Sequence, residues 1–251
     1  MKFLRLPVKD PRTVARDIPG ICDILFPQLL PAIVSHLNRE AQPISGCSDV
    51  EKSLILKMST NAAMLFEVAY ARAEQMLTNA AEDWDACLNI ALERQSKYFD
   101  ADLPESLTEI DILIAKKTAD NLVKSLEFFQ GKSQNIGISQ SPIIPGFQWI
   151  SQGNGDFAIG KKLIEVKCSS RSFSSSDYRQ ILIYWLLSFS SSIEDRSEEW
   201  ESGILLNPRL NKYIEIRFDE LIKIAGAGRS KIELLQLFSF LVGDYAYKLG
   251  N

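Results

Sequence analysis

The 251-residue chain reads as an α/β protein, with a mixed sheet flanked by helices and an N-terminal helical region ahead of it. Three observations predict this. Apolar residues recur at helical spacing from about Pro11 to Gln130, and short alternating or β-branched runs replace them from Pro142 onward. From Pro104 the elements run helix, three strands, helix, strand, strand, helix, an order that suits a sheet covered by helices. The chain therefore divides into a helical region over 1–103 and a core over 104–251.

Taken in order, Leu54 through Leu77 predicts a long helix, Asp83 to Tyr98 another, and Pro104 suits the first turn of a third. That third helix carries Ile110, Ile114, Leu122, Leu126 and Phe129 on one face and stops at Gly131, where a polar linker runs to Ser141. A strand is predicted over Ile143 to Ile150, then a hairpin over Gly153 to Lys167, then a helix from about Asp177 to Phe189. The acidic stretch Ile193 to Glu201 reads as an exposed loop. Strands follow at Gly203–Leu206 and Tyr213–Phe218 around a turn at Asn207–Lys212, and a last helix runs from about Ser230 to Leu249.

Composition narrows the function classes. Hydrophobic residues make up 46% of the chain, enough for a large core, and no apolar run has membrane-spanning length. Met1 to Asp10 is broken by charge and proline and lacks the apolar centre of a signal peptide, so a cytoplasmic location without membrane association is expected. A net charge of -4 argues against broad, nonspecific duplex binding, so positive surface must be local. Cysteines 22, 47, 87 and 168 are scattered and His36 is the single histidine, which leaves no zinc spacing and predicts reduced thiols. No Gly-x4-Gly-Lys-Ser/Thr phosphate loop occurs, since Leu126 stands five residues before Gly131-Lys132-Ser133, and Gly226-Ala-Gly228 lacks the third glycine of a dinucleotide site.

The hairpin carries the chemistry. In its second strand Ile164, Val166 and Cys168 alternate with Glu165 and Lys167, so the period of two sends the charged pair to the other side, away from the apolar core. In its first strand Phe157 and Ile159 take the apolar side, and the short turn at Gly160, Lys161 and Lys162 folds Asp156 back toward Glu165. Two converging carboxylates need a cation or a proton between them. Mg²⁺ or Mn²⁺ fits, because both prefer oxygen ligands, keep waters and stabilise phosphoryl charge. Lys167 then stands ready to polarise an attacking water or to neutralise the transition state.

In these residues the chain resembles the PD-(D/E)XK nuclease superfamily, with Asp156 as the motif aspartate and Glu165-Val166-Lys167 as the E-x-K element. Gly155 stands where the family's leading proline would be. Gln180 and Tyr184 follow in a helical pattern and are similar to the Q-x-x-x-Y motif of the RecB-like branch. Residues four apart share a helix face, so the two can serve one site. A capping sequence, with Asp177 at N-cap and Gln180 at N3, is the alternative reading. The resemblance implies a restriction-endonuclease-like sheet, an ion held by Asp156, Glu165 and Val166, and Gln180 and Tyr184 completing the catalytic set. It also implies a further acid on the helix before the hairpin. Glu109, Asp111, Asp120 and Glu127 offer themselves, Asp120 and Glu127 first, and Glu67 becomes a contender if its helix packs beside the hairpin. Some RecB-like nucleases hold an iron–sulphur cluster, but three of the four cysteines here precede the motifs, the reverse of that pattern.

Between strand and helix, residues 169–179 are rich in serine and include Arg171 and Arg179, which suit phosphate contacts, as do Lys161 and Lys162 at the hairpin tip. A flexible polar loop is the competing reading. The expected function is thus a Mg²⁺- or Mn²⁺-dependent DNA nuclease. By analogy it belongs to prokaryotic restriction or phage defence, with DNA as ligand and a helicase or ATPase as a possible partner, and repair or recombination is the nearest rival. The alternative class is a noncatalytic DNA-binding or scaffold subunit that keeps the fold.

Overall fold

The computed structural model describes residues 10–96, 104–195 and 198–250. Six helices come first: α1 (Pro11–Asp17), α2 (Ile21–Leu25), α3 (Pro31–Asn38), α4 (Lys52–Ile55), α5 (Ala62–Leu77) and α6 (Trp84–Gln95). The single helix expected over Leu54–Leu77 is broken into α4 and α5, because Asn61 caps α5 by accepting the Met64 N–H at 2.9 Å. The linking Ser59 and Thr60 give their N–H and hydroxyl groups to Asp111. Polar side chains that bond nearby backbone favour such breaks over helix interiors. Tyr98, the expected end of α6, lies outside the described residues.

Helix α7 (Glu109–Lys132) starts at a capping box between Thr108 and Asp111, five residues after Pro104, and runs through Gly131. It is followed by β1 (Ile138–Gln140), β2 (Ile143–Ile144), β3 (Gly153–Asn154), β4 (Phe157–Ile159) and β5 (Lys162–Val166). Strand β1 arises inside the expected linker, since Ile138 pairs with Ile159 at the sheet edge. The strand expected to reach Ile150 ends at Ile144. Beyond Gly146, where a Cβ would come within 2.7 Å of the Ile150 carbonyl, the backbone turns so that Phe147 and Ile150 bond each other. Helix α8 (Ser175–Asp195) starts two residues before Asp177 and outlasts Phe189 by six, and then β6 (Ser202–Asn207), β7 (Lys212–Arg217), α9 (Phe218–Ala225) and α10 (Lys231–Gly250) complete the chain. Helix α9 is absent from the sequence-based expectation. Its buried residues, Phe218, Leu221, Ile222 and Ala225, have helical spacing that a strand extended to Phe218 conceals.

Five strands form one mixed sheet in the order β1-β4-β5-β6-β7, in which only β5 and β6 are parallel; β2 and β3 form a small second sheet. The β5-to-β6 connection crosses through α8, as parallel neighbours require. Both faces of the large sheet are covered. Ala119, Leu122, Leu126 and Phe129 of α7, with Tyr70 of α5, pack on Phe157, Ile159, Ile164, Val166 and Ile204. On the other face Ile181, Tyr184 and Trp185 of α8 join Leu163, Leu205 and Ile214, together with Val14 of α1 and Ile21 and Leu25 of α2. The N-terminal helices thus share both cores with the sheet. All four cysteines are free thiols, Cys22 and Cys87 buried.

Candidate active site

Register places the two hairpin acids side by side. Phe157 pairs with Ile164 across the β4–β5 ladder, so the next position outward sets Asp156 against Glu165. Asp156 Oδ2 accepts the Val166 N–H at 2.8 Å, while its own carbonyl accepts the Ser141 N–H at 3.0 Å and the Tyr70 hydroxyl at 3.1 Å. Its backbone is therefore gripped from both sides, and its second carboxylate oxygen remains for another partner.

Glu165 is 4% exposed. This corrects the expectation that alternation sends the charged pair away from the apolar core: Leu163, Glu165 and Lys167 share the face on which α8 lies, so the strand is buried on both sides. Helix α8 brings matching polar groups. Glu165 Oε1 accepts Lys167 Nζ at 2.9 Å and Gln180 Nε2 at 2.6 Å, Lys167 Nζ also donates to Gln180 Oε1 at 2.8 Å, and Gln180 Nε2 donates to the Tyr184 hydroxyl at 2.9 Å. Glu165 Oε2 is buried without a partner. The capping alternative falls differently from its expected form: Ser174 is the N-cap, giving its N–H and hydroxyl to Asp177 at N3, and Gln180 turns into the site.

Burial, reinforced by the neighbouring Asp156 charge, pushes the Glu165 carboxyl up to about 7 against the pull of Lys167. Asp156 is raised chiefly by burial, opposed by Lys167, the Val166 N–H and Arg12. Burial also works against the Lys167 charge, yet Glu165 and Asp156 outweigh it and hold the proton more tightly than usual. The pair is thus short of positive charge while Lys167 is firmly an ammonium.

Of the candidate upstream acids, Glu67 on α5 is the one whose charge bears on the hairpin. Glu67 and Tyr70 lie one turn apart on a helix that touches the hairpin, and the Glu67 charge bears on Asp156. Glu67 also faces Arg94 at 3.7 Å. Asp120 and Glu127 do not join the site: they are half-buried and exposed on α7, each one residue off the apolar stripe that meets the sheet. Glu109 is exposed in the first turn of that helix, and Asp111 is spent on capping. Among the described residues no three acid, histidine or cysteine side chains close into a metal cage.

The basic candidates are dispersed. Arg171 is exposed in a loop whose Ser169 hydroxyl bonds its carbonyl, and Arg179 pairs with Asp23 of α2. Lys161 and Lys162 pair with Glu201 and Glu215 at 3.2 and 2.8 Å. They edge a cavity of about 500 Å³ at the hairpin tip, which none of Asp156, Glu165, Lys167, Gln180 or Tyr184 lines. Sequence reasoning missed two residues, Tyr70 and Arg12. The Arg12 guanidinium donates from Nε and Nη2 to the Asn154 carbonyl at 3.3 and 3.0 Å, and its charge bears on Tyr184, Asp156 and Glu165. No local signal marks a contact that spans 142 residues.

This chain matches no protein-family model and no curated protein. Among the described residues no helix is long and apolar enough to cross a membrane.

Proposed function

We propose that this chain is a metal-dependent DNA nuclease of PD-(D/E)XK type, with a restriction-endonuclease-like core. The observation that carries the reading is the set of Asp156, Glu165, Lys167, Gln180 and Tyr184 at one end of the sheet, with one carboxylate oxygen of Glu165 buried and unpartnered. Asp156 and Glu165 would hold Mg²⁺ or Mn²⁺. The donor set fits, since such ions take one or two carboxylates and complete their shell with water and substrate oxygens, so a closed protein cage is not required. A bound divalent ion supplies positive charge that acidifies water and offsets the anionic phosphoryl group.

The chain's own residues do the rest. Gln180 and Lys167 occupy Oε1 of Glu165 and leave Oε2 as the oxygen that would be free to hold an ion. Tyr184, fully buried, buttresses the amide of Gln180. Lys167 is held by Glu165 and Gln180, where its ammonium can orient the attacking water and balance negative charge on the phosphate. In the reaction a water oxygen bonds to phosphorus, the bond to the leaving sugar oxygen breaks, and the water's proton ends on that leaving oxygen or in solvent.

The test is incubation of the purified protein with circular, linear and single-stranded DNA in Mn²⁺ or Mg²⁺, beside Glu165→Gln and Lys167→Ala. Cleavage by the wild type and a loss on the order of a thousandfold in each variant is expected. Equal cleavage by the variants would refute the assignment. A noncatalytic DNA-binding or scaffold subunit is the second reading, favoured by the pairing of Glu67, the upstream acid whose charge bears on Asp156, with Arg94. Thermal stabilisation by millimolar Mn²⁺ that depends on Asp156 and Glu165 speaks for the nuclease, and no such stabilisation for the scaffold.

A further inference from the structure

We infer that Arg12, carried by the N-terminal helix α1, is the residue that receives the substrate's phosphate in this site. The inference rests on the nuclease reading above and names a residue that no motif of the sequence singles out.

Four observations converge on Arg12. Its backbone is fixed, because Asp10 caps α1 by accepting the Arg12 N–H at 2.8 Å and Pro11 sets the first turn. Its guanidinium lies along the Asn154 carbonyl, two residues before Asp156, and its charge bears on Asp156 and Glu165. Helix α1 is seated on the helix that supplies Gln180 and Tyr184, through Val14, which is completely buried in the core that contains Tyr184. Finally, Arg12 is exposed, whereas Glu165 and Tyr184 are buried and Lys167 and Gln180 mostly so; among these groups it is the more exposed cation.

The chemistry follows from charge balance. Without a divalent ion, the Arg12 charge is attracted to Asp156 and Glu165. With the two carboxylates neutralised, Arg12 would be less strongly held by them, and a substrate phosphate at the site would be the strongest anion in reach of its guanidinium. A guanidinium has five N–H donors in a planar fork, and the bonds to Asn154 use only Nε and Nη2. Arginine is suited to such a contact because the fork matches two phosphate oxygens at once. The competing explanation is that Arg12 only ties α1 to β3 through Asn154.

The experiment compares full-length wild type, Arg12→Ala and Arg12→Lys in Mn²⁺ on linear DNA, with KM and kcat measured over a range of KCl and Mn²⁺ affinity read from thermal-shift titration. Arg12→Ala is expected to raise KM about tenfold, Arg12→Lys to recover part of that, and the slope of log(kcat/KM) against log[salt] to fall by about the share of one phosphate contact. Mn²⁺ should bind Arg12→Ala as tightly as wild type or tighter, since removing a cation beside two carboxylates cannot weaken their hold on another cation. Unchanged KM and salt slope would overturn the inference, and so would a loss accompanied by weaker Mn²⁺ binding and a lowered melting temperature, the pattern of a structural tie. A wild type that cuts no DNA and binds no Mn²⁺ would remove the nuclease reading itself, whereas an active wild type with an indifferent Arg12→Ala would remove this inference alone.

Discussion

At the tip of the β4–β5 hairpin, Lys161 and Lys162 meet Glu201 and Glu215 in solvent-facing ion pairs, with side chains from 28% to 63% exposed. At its base, three residues away, Asp156 opposes Glu165 under α8, and one oxygen of Glu165 is buried without a partner. The same two strands thus carry charge at both ends, and the surroundings decide what the charge does. Water screens the tip pairs, and either member can be lost at little cost. At the base the carboxylates repel each other in a dry setting, a disadvantage in the free protein that a bound cation, as proposed, would relieve. A fold keeps such an arrangement where a site must be ready for a ligand, at some expense in stability.

The largest expected effect sharpens this contrast directly. The Glu165 carboxyl sits at about 7 in the folded chain, above the range of an exposed glutamate, because of burial first and the Asp156 charge second. A native state that keeps its proton to higher pH than the unfolded chain loses stability as pH rises between the two values, here from about 4.5 to about 7, and no further above that. Glu165→Gln mimics the protonated form. In metal-free buffer the variant should match the wild type near pH 4.5 and exceed it by roughly 3 kcal/mol at pH 8, since each pH unit between the two values is worth about 1.36 kcal/mol. Urea unfolding at the two pH values checks this. A constant difference between variant and wild type across the range would mean that the ionised carboxylate is already satisfied.

An intermediate effect concerns the platform beneath the base. Gly203 in β6 lies under α8, and a Cβ there would come within 2.6 Å of Ile181 Cδ1 and 3.0 Å of the Phe218 ring. Ile181 directly follows Gln180. Gly203→Ala should therefore cost about 2 kcal/mol by overpacking and lower cleavage more than it lowers stability, since a shift of α8 moves the Gln180 amide off Glu165. Melting temperature measured beside cleavage rate separates the two. Full activity at reduced stability would show that the Ile181 side chain yields without moving the helix.

Much of the base was legible because its spacing is local. Asp156, Glu165 and Lys167 belong to one hairpin, and Gln180 and Tyr184 to one helix turn, so period two and period three-and-a-half suffice to align them. The helix that meets the hairpin was not legible. Helices α5 and α7 are both amphipathic and both carry acids, and periodicity says which face is apolar without saying which helix stands at the open end of the hairpin; Tyr70 decides it by bonding the Asp156 carbonyl. Arg12 was hidden for the same reason, as its contact depends on how α1 docks on α8. The depth of Glu165 had a trace in the sequence: Leu163 shares its parity on β5, which hints that this face also meets a core. Short elements governed by backbone detail fared worst, as the two-residue β2, the edge strand β1 and the helix α9 all lie where turn chemistry or burial overrides pattern.

The smallest effect tests whether the tip is as inert as its ion pairs suggest. Lys161 and Lys162 suit phosphate contacts by sequence, but Lys161 is engaged by Glu201 just before β6 and Lys162 by Glu215 of β7, two strands across, which lowers the positive field left for DNA. Replacing both with alanine also frees Glu201 and Glu215, so the local charge swings to negative and a passing phosphate would be repelled rather than merely released. Cleavage of linear DNA at 0.15 M salt should nonetheless change by no more than about twofold, because exposed charges a strand's length from the base are separated from it by about a Debye length. A larger loss that disappears in high salt would instead make the hairpin tip part of the path along which the nucleic acid lies, and the contrast between the two ends would become one between gripping and cutting.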